Sequence, residues 1–224
     1  MSEQYPLRKN KTPWPTKKAM EQVYEMKLWG SGEEMFYSGD GSHISKIVEP
    51  YKQAVISFLN SFTTPITVCD FGCGDFNIGK DFVKYTKHYK AVDIVSPLIK
   101  YNKQKYQEEN LTFYCLDLAV DELPKGDCAI VRQVLQHLSN KEVQAILDKL
   151  TDFKYIILTE HIPVGDFIPN QDIISGQGIR IKKQSGLEIL KAPFRFQVKE
   201  TKELCSVMLA PKKGRIVTYL YKVF

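Results

Sequence analysis

The run Val68-Cys69-Asp70-Phe71-Gly72-Cys73-Gly74-Asp75, followed by Ala91-Val92-Asp93-Ile94, constrains this chain more than any other feature. An apolar strand that breaks into Gly-x-Gly lets backbone amides approach a ligand with no Cβ in the way. A second strand that ends in an acid supplies a carboxylate for the vicinal hydroxyls of a ribose. Asp93 lies 19 residues past Gly74, a spacing that fits an adenosine-type ligand on an open α/β sheet.

The details of the turn separate two classes of ligand. The third glycine of a dinucleotide fingerprint would fall at position 77, which is Asn77. Acids flank the turn, Asp70 before it and Asp75 after it, and they suit a cationic ligand better than a pyrophosphate. The reading moves from NAD towards S-adenosylmethionine.

From Ile66 onward, strands alternate with helices. The apolar runs predict strands at Ile66–Phe71, Tyr89–Ile94, Leu111–Cys115, Cys128–Val131 and Tyr155–Thr159. Helices are expected near Ile78–Tyr85, after Ser96-Pro97 with serine as N-cap, and from the capping box Ser139-x-x-Glu142 to about Leu150. That order requires a parallel sheet with right-handed crossovers. The end differs: Leu204–Leu209 and Arg215–Val223 are β-rich, and Ala210-Pro211-Lys212-Lys213-Gly214 between them signals a hairpin. Ahead of the sheet, Thr16–Leu28 has the spacing of a short helix, and Ser45–Asn60 reads as an amphipathic helix bent or restarted at Pro50. The expected organisation is an N-terminal arm and lid over residues 1–44 and a cofactor-binding domain over 45–224.

Asp70-Phe71-Gly72-Cys73-Gly74 resembles the first motif of class I S-adenosylmethionine-dependent methyltransferases, and Val92-Asp93-Ile94 resembles their second. Leu116-Asp117-Leu118 is similar to the third, and Asp127–Arg132 is similar to the fourth strand, which ends near the methyl group. The likeness runs in order from about Ile66 to Phe224. Cys-Gly-Asp-Phe-Asn, Arg-Gln-x-Leu-x-His-Leu and Asn170-x-Asp172-Ile173 resemble a bacterial branch of that superfamily. The resemblance implies a Rossmann-like fold: a seven-stranded, mostly parallel sheet with an antiparallel C-terminal hairpin strand and helices on both faces. It implies S-adenosyl-L-methionine as cofactor. Asp70, Gly72 and Gly74 would hold its methionine part, Asp93 the ribose, and Ile94, Asp117 and Leu118 the adenine. Arg132 and Gln133 would lie near the methyl group.

Methyl transfer to oxygen or nitrogen calls for a base near neutral pH. His137 and His161 follow the fourth and fifth strands and are the catalytic candidates, whereas His43 and His88 look peripheral. Tyr37, Glu160, Asn170, Asp172 and Arg180 are the candidates for substrate contacts. Asn170, Asp172 and Arg180 fall in the long stretch Ile162–Phe196, which is punctuated by glycine and proline; loops of that length are usually functional. Trp29 and the aromatic glycine-serine turns around Tyr37 read as a lid.

Composition removes several classes. The net charge of +5 comes from scattered lysines rather than a basic stripe, so nucleic acid is not the expected partner. Five cysteines without a Cys-x-x-Cys pair indicate neither a disulfide framework nor a zinc site, and they read as buried reduced thiols. No metal cluster is expected; of the acids a magnesium site would want, only Asp127 and Glu160 are at hand. No apolar run reaches the length of a membrane span, and the N-terminus has no signal-peptide core, so the expected compartment is the cytoplasm. The function expected is methylation of a small polar molecule, with oxygen favoured and a carbohydrate or surface-polymer precursor as an example. The rivals are a protein or RNA methyltransferase, a non-catalytic S-adenosylmethionine-binding protein and, against Asn77, an NAD-dependent dehydrogenase. Oligomeric state is not legible.

Overall fold

The structure, a computed structural model, describes residues 13–210 and 213–224. Seven strands form one sheet: β1 Thr67–Phe71, β2 His88–Asp93, β3 Leu111–Cys115, β4 Cys128–Arg132, β5 Tyr155–Ile162, β6 Glu200–Met208 and β7 Arg215–Lys222. Their order is β3-β2-β1-β4-β5-β7-β6. The first five are parallel, while β7 runs antiparallel to both β5 and β6. Strand order reverses between β1 and β4, and open α/β sheets bind ligands in the crevice at such a switch point.

Among the described residues, four α-helices accompany the sheet: α1 Thr16–Glu25, α2 Ser45–Leu59, α3 Ser96–Lys105 and α4 Asn140–Leu150. Side chains alternate across a strand, so each strand feeds two cores. Cys69, Phe71, Ala129, Val131, Ile156 and Leu158 meet α4 and Met20 of α1. Val68, Cys128, Ile130 and Ile157 meet Val48, Tyr51, Val55 and Leu59 of α2 on the other face. Pro50 lies inside α2 without ending it. It sits in the second turn, close to the helix start.

Three local expectations change. The segment after β1 forms two 3-10 turns, Gly79–Asp81 and Val83–Tyr85, instead of an α-helix. Gly79 is poor helix material, and a Cβ there would lie 2.4 Å from Phe76. At α3 the cap position is Val95 and Ser96 makes no capping bond; the Asp93 carboxylate takes the Val95 amide at 3.0 Å instead. Cys69 and Cys128 are buried, but Cys115 at the end of edge strand β3 is exposed. The capping box at α4 forms in full.

The long stretch between β5 and β6 is ordered by buried polar side chains rather than by regular elements. Asn170 donates to the carbonyls of Glu188 and Ala192 and accepts the Glu188 amide. No α-helix among the described residues is long and apolar enough to cross a membrane.

Candidate active site

A cavity of about 420 Å³ opens at the carboxyl ends of β1, β2, β3, β4 and β5. Its floor comes from the turns that follow those strands, and its roof from the N-terminal segment, with Tyr24, Trp29 and Ser38–Ser42 in the lining. Gly72 and Gly74 have φ of +82° and +55°. A Cβ would lie 2.2 Å from Val134 at the first and 2.4 Å from the Ser38 hydroxyl at the second. Both glycines are therefore required by conformation and by close approach.

Asp93 is buried beneath this turn. One carboxylate oxygen accepts the Gly74 amide at 3.0 Å and the other accepts the Val95 amide. Burial pushes its carboxyl up, while those amides pull it back. Asp117 accepts the Ala119 amide at 2.9 Å, and its own amide donates to Asp121. Ile94, Leu118 and Ile146 add apolar wall.

The roof is fastened to the glycine turn and to β4. The Asp75 carboxylate accepts the Ser38 amide at 2.8 Å and lies 2.6 Å from His43 Nε2. The Asp75 amide donates to the Ser38 hydroxyl, and Asn77 donates to the Ser42 carbonyl. Arg132 donates to the Gly41 carbonyl at 2.6 Å and lies over the Tyr51 ring. His43 is thus part of the roof fastening, contrary to its peripheral look in the sequence. Asp75, which in the sequence suits a cationic ligand, and Asn77, which stands where a dinucleotide fingerprint has its third glycine, hold the roof.

Of the expected cofactor residues, Gly72, Gly74, Asp93, Ile94, Asp117, Leu118, Arg132 and Gln133 line the cavity. Asp70 does not. Strand alternation sends it to the α2 face, where the Tyr89 hydroxyl donates to it at 2.9 Å and burial pushes its carboxyl to about 7.

Both candidate histidines line the cavity, in different states. His137 is buried, with Nδ1 at 3.2 Å from the Gly176 carbonyl and Nε2 at 3.3 Å from the Gln136 amide. Burial lowers it to about 4, so it is a neutral ring with both nitrogens engaged. His161 uses Nε2 on the Lys213 carbonyl, which leaves Nδ1 as the acceptor nitrogen, without a hydrogen-bond partner among the described residues. Burial lowers its pKa as well.

None of the expected substrate residues lines the cavity. Tyr37 stacks on His43 at 4.3 Å and donates to Asp40. Asp172 takes the Asn140 amide at the start of α4. Arg180 is 1% exposed and donates to the carbonyls of Leu135, Leu138 and Gln171 and to Asn140. Glu160 points to the opposite face from His161, and its oxygens lack well-formed hydrogen bonds. Burial pushes its carboxyl to about 8, against the pull of Arg180 and the Gln136 and Leu135 backbone. Arg180 braces the 3-10 turn Leu135–His137 from behind through the Leu135 and Leu138 carbonyls. The lining residues the sequence did not single out include Asp40, Gln136, Gln177, Ile179 and Lys182. A Cβ at Gly176 would come no nearer than 3.9 Å to Ala19 and one at Gly178 would meet nothing within 4 Å, so these glycines mark no close approach and no local pattern points to this part of the loop.

Residues 69–152 match the family model described as a methyltransferase domain. No curated protein matches the sequence. Among solved structures, the N-methyltransferase NodS from Bradyrhizobium japonicum WM9 with S-adenosyl-L-homocysteine superposes with a TM-score of 0.64 at 11% identity, covering 92% of this chain and 98% of that one. Magnesium protoporphyrin IX methyltransferase from Synechocystis PCC 6803 with bound S-adenosylmethionine gives 0.57 at 19% identity, with coverage of 95% and 100%. Human N-acetylserotonin methyltransferase with the same ligand gives 0.56 at 15% identity, covering 93% of this chain and 60% of that one. At these identities the likeness is one of fold.

Proposed function

We propose that the chain is a class I S-adenosylmethionine-dependent methyltransferase, as the methyltransferase-domain match over residues 69–152 supports, and that it methylates an oxygen of a small polar molecule, with His161 as the base. The observation that carries the reading is His161 itself: a cavity-lining imidazole under a fastened roof, with Nδ1 unengaged and its pKa lowered. The neighbours' acceptors differ from one another, so they assign none to this chain.

The residues fit the cofactor. A cavity of about 420 Å³ lies in the usual range for small-molecule sites, and the Gly72–Gly74 turn presents backbone where a side chain would intrude. Asp93, fixed by two amides, keeps lone pairs for a ribose diol, and Ile94 and Leu118 offer apolar surface for an adenine. When bound, S-adenosylmethionine supplies a methyl carbon on a sulfonium, open to in-line displacement. The roof residues Tyr24, Trp29 and Ser38–Ser42 exclude water, which strengthens the electrostatics inside. His161 Nδ1 would take the hydroxyl proton as the acceptor oxygen bonds the methyl carbon and the methyl–sulfur bond breaks to leave a neutral thioether, and the Lys213 carbonyl on Nε2 fixes the required tautomer.

The test is incubation of the full chain with methyl-labelled S-adenosylmethionine and a cell extract separated by size. Label in the low-mass fraction supports the reading. Label in protein or RNA moves it to the macromolecular alternative.

A further inference from the structure

Four acids line the cavity. The loops after β2 and β3 contribute Asp93 and Asp117, the roof Asp40 and the first turn of α4 Glu142. Asp40 accepts from the Tyr37 hydroxyl and Glu142 from Thr16, Ser139 and Ser175, whereas β5 and the loop after it present His161, Ile179 and Lys182. Arg132 is the other cation in the lining, but it is taken up by the Gly41 carbonyl, the Ser42 hydroxyl and the Tyr51 ring. The Lys182 amide donates to the Ile179 carbonyl, but its ammonium has no carboxylate within 4.0 Å and no hydrogen-bond partner among the described residues.

The place of Lys182 is built rather than incidental. It sits in the 3-10 turn Arg180–Lys183, whose Arg180 is sunk into the core on four hydrogen bonds. Ser185 donates back to the Arg180 carbonyl, and Lys183 is drawn away by the Asp172 carbonyl at 2.8 Å. The β6–β7 hairpin closes on the same corner. Its Gly214 packs against Ile181 and the His161 ring, and the Lys213 carbonyl accepts from His161. Two separate elements thus bring lysines to the His161 side of the cavity, and only Lys182 belongs to its wall.

Resting on the reading of this cavity as a methyl-transfer site for a small molecule, we propose that the acceptor is an anion whose carboxylate or phosphate group is held by Lys182, with its hydroxyl towards His161. Lys182 is exposed at the cavity edge, where its ammonium favours an oxyanion over a neutral polar group, while Asp93 and Asp117 at the cofactor end repel the same anion. Charge therefore orients the acceptor as well as holding it. Its hydroxyl comes to the histidine, and its charged group stays at the β5 side.

The experiment fractionates a small-molecule extract of the source cells on a strong anion exchanger before reaction. Each fraction is then assayed with the full chain and methyl-labelled S-adenosylmethionine. Acceptor activity is expected in the retained fraction. Lys182→Gln should raise the apparent KM for that fraction about tenfold or more, the loss expected for one charge-assisted hydrogen bond. kcat at saturation and calorimetric affinity for S-adenosylhomocysteine should hold, and Lys182→Arg should recover most of the KM. Lys183→Gln, off the cavity, is expected to match the parent. Phosphatase treatment distinguishes the sources: lost acceptor activity assigns a phosphate, retained activity a carboxylate. Acceptor activity in the unretained fraction, or an unchanged KM in Lys182→Gln, overturns the proposal. No label in either fraction, from a chain that binds S-adenosylhomocysteine, overturns the small-molecule reading beneath it.

Discussion

Arg132 at the end of β4 donates to the carbonyl of Gly41 at 2.6 Å, tying the N-terminal roof to the strand beside the glycine turn. The side chain is half-buried and its charge is shared with the Tyr51 ring, so the bond is partly shielded from water and salt. Replacing Arg132 with Ala should loosen the roof and weaken S-adenosylhomocysteine binding about tenfold, with faster dissociation. Stopped-flow release together with calorimetry checks this; an unchanged off-rate would mean that Asp75 and Asn77 suffice to hold the roof.

Asp93 joins the glycine turn to the start of α3 before any ligand arrives. In Asp93→Ala the Gly74 and Val95 amides lose their acceptor. Cofactor affinity should drop at least tenfold, and the melting temperature by a few degrees, from a cost of about 1–3 kcal/mol. NAD should give no binding heat with either protein. Full cofactor affinity in the variant would remove Asp93 from the ribose site.

Much of this was legible because it depends on local rules. The parallel order of β1 to β5, the terminal hairpin and the cavity-lining positions of Gly72, Gly74 and Asp93 follow from strand periodicity and from the space glycine leaves. The differences share one cause: a polar side chain in a loop or at a strand end reads as facing a ligand whether or not the fold turns it there. Asp70 and Arg132 have the strand parity of Val68 and Ile130, which face α2; only Arg132 is long enough also to reach the cavity. Asn170, Asp172 and Arg180 are partnered by carbonyls and amides that only the folded loop brings near, at separations of up to 45 residues. No local pattern encodes such pairings. Lys182 escaped notice for the same reason, since nothing in its neighbourhood sets it apart from Lys183.

Glu160 gives a pH signature in stability. Its carboxyl has an ordinary value of 4.5 and is pushed to about 8 by burial, so the fold holds this proton more tightly than the unfolded chain does. The stability it contributes is full below 4.5 and is lost as pH rises through 8. Glu160→Gln keeps the shape without the ionisation. Its advantage over the parent should grow between pH 5 and 9, reaching on the order of 1–3 kcal/mol. Denaturant titrations across that range measure it, and a pH-independent difference would show that the carboxyl ionises normally.

The last prediction concerns the proton. His161 has its pKa lowered by burial from the ordinary 6.5, so its free base is already present at neutral pH. With the retained acceptor fraction, kcat should rise with pH through a midpoint below 6.5 and be flat from about pH 7. His161→Ala should lower kcat on the order of 10²–10⁴-fold and leave S-adenosylhomocysteine affinity nearly unchanged. His137→Ala is the contrast: its ring is buried, neutral and bonded at both nitrogens, so its loss should appear first as a lower melting temperature. A parent-like rate in His161→Ala beside a collapsed rate in a still-folded His137→Ala would reverse the two roles. If neither change slows transfer tenfold, positioning and water exclusion carry the reaction. An acceptor nitrogen that arrives already neutral then replaces the hydroxyl, because such a nucleophile has no proton to give up before it attacks.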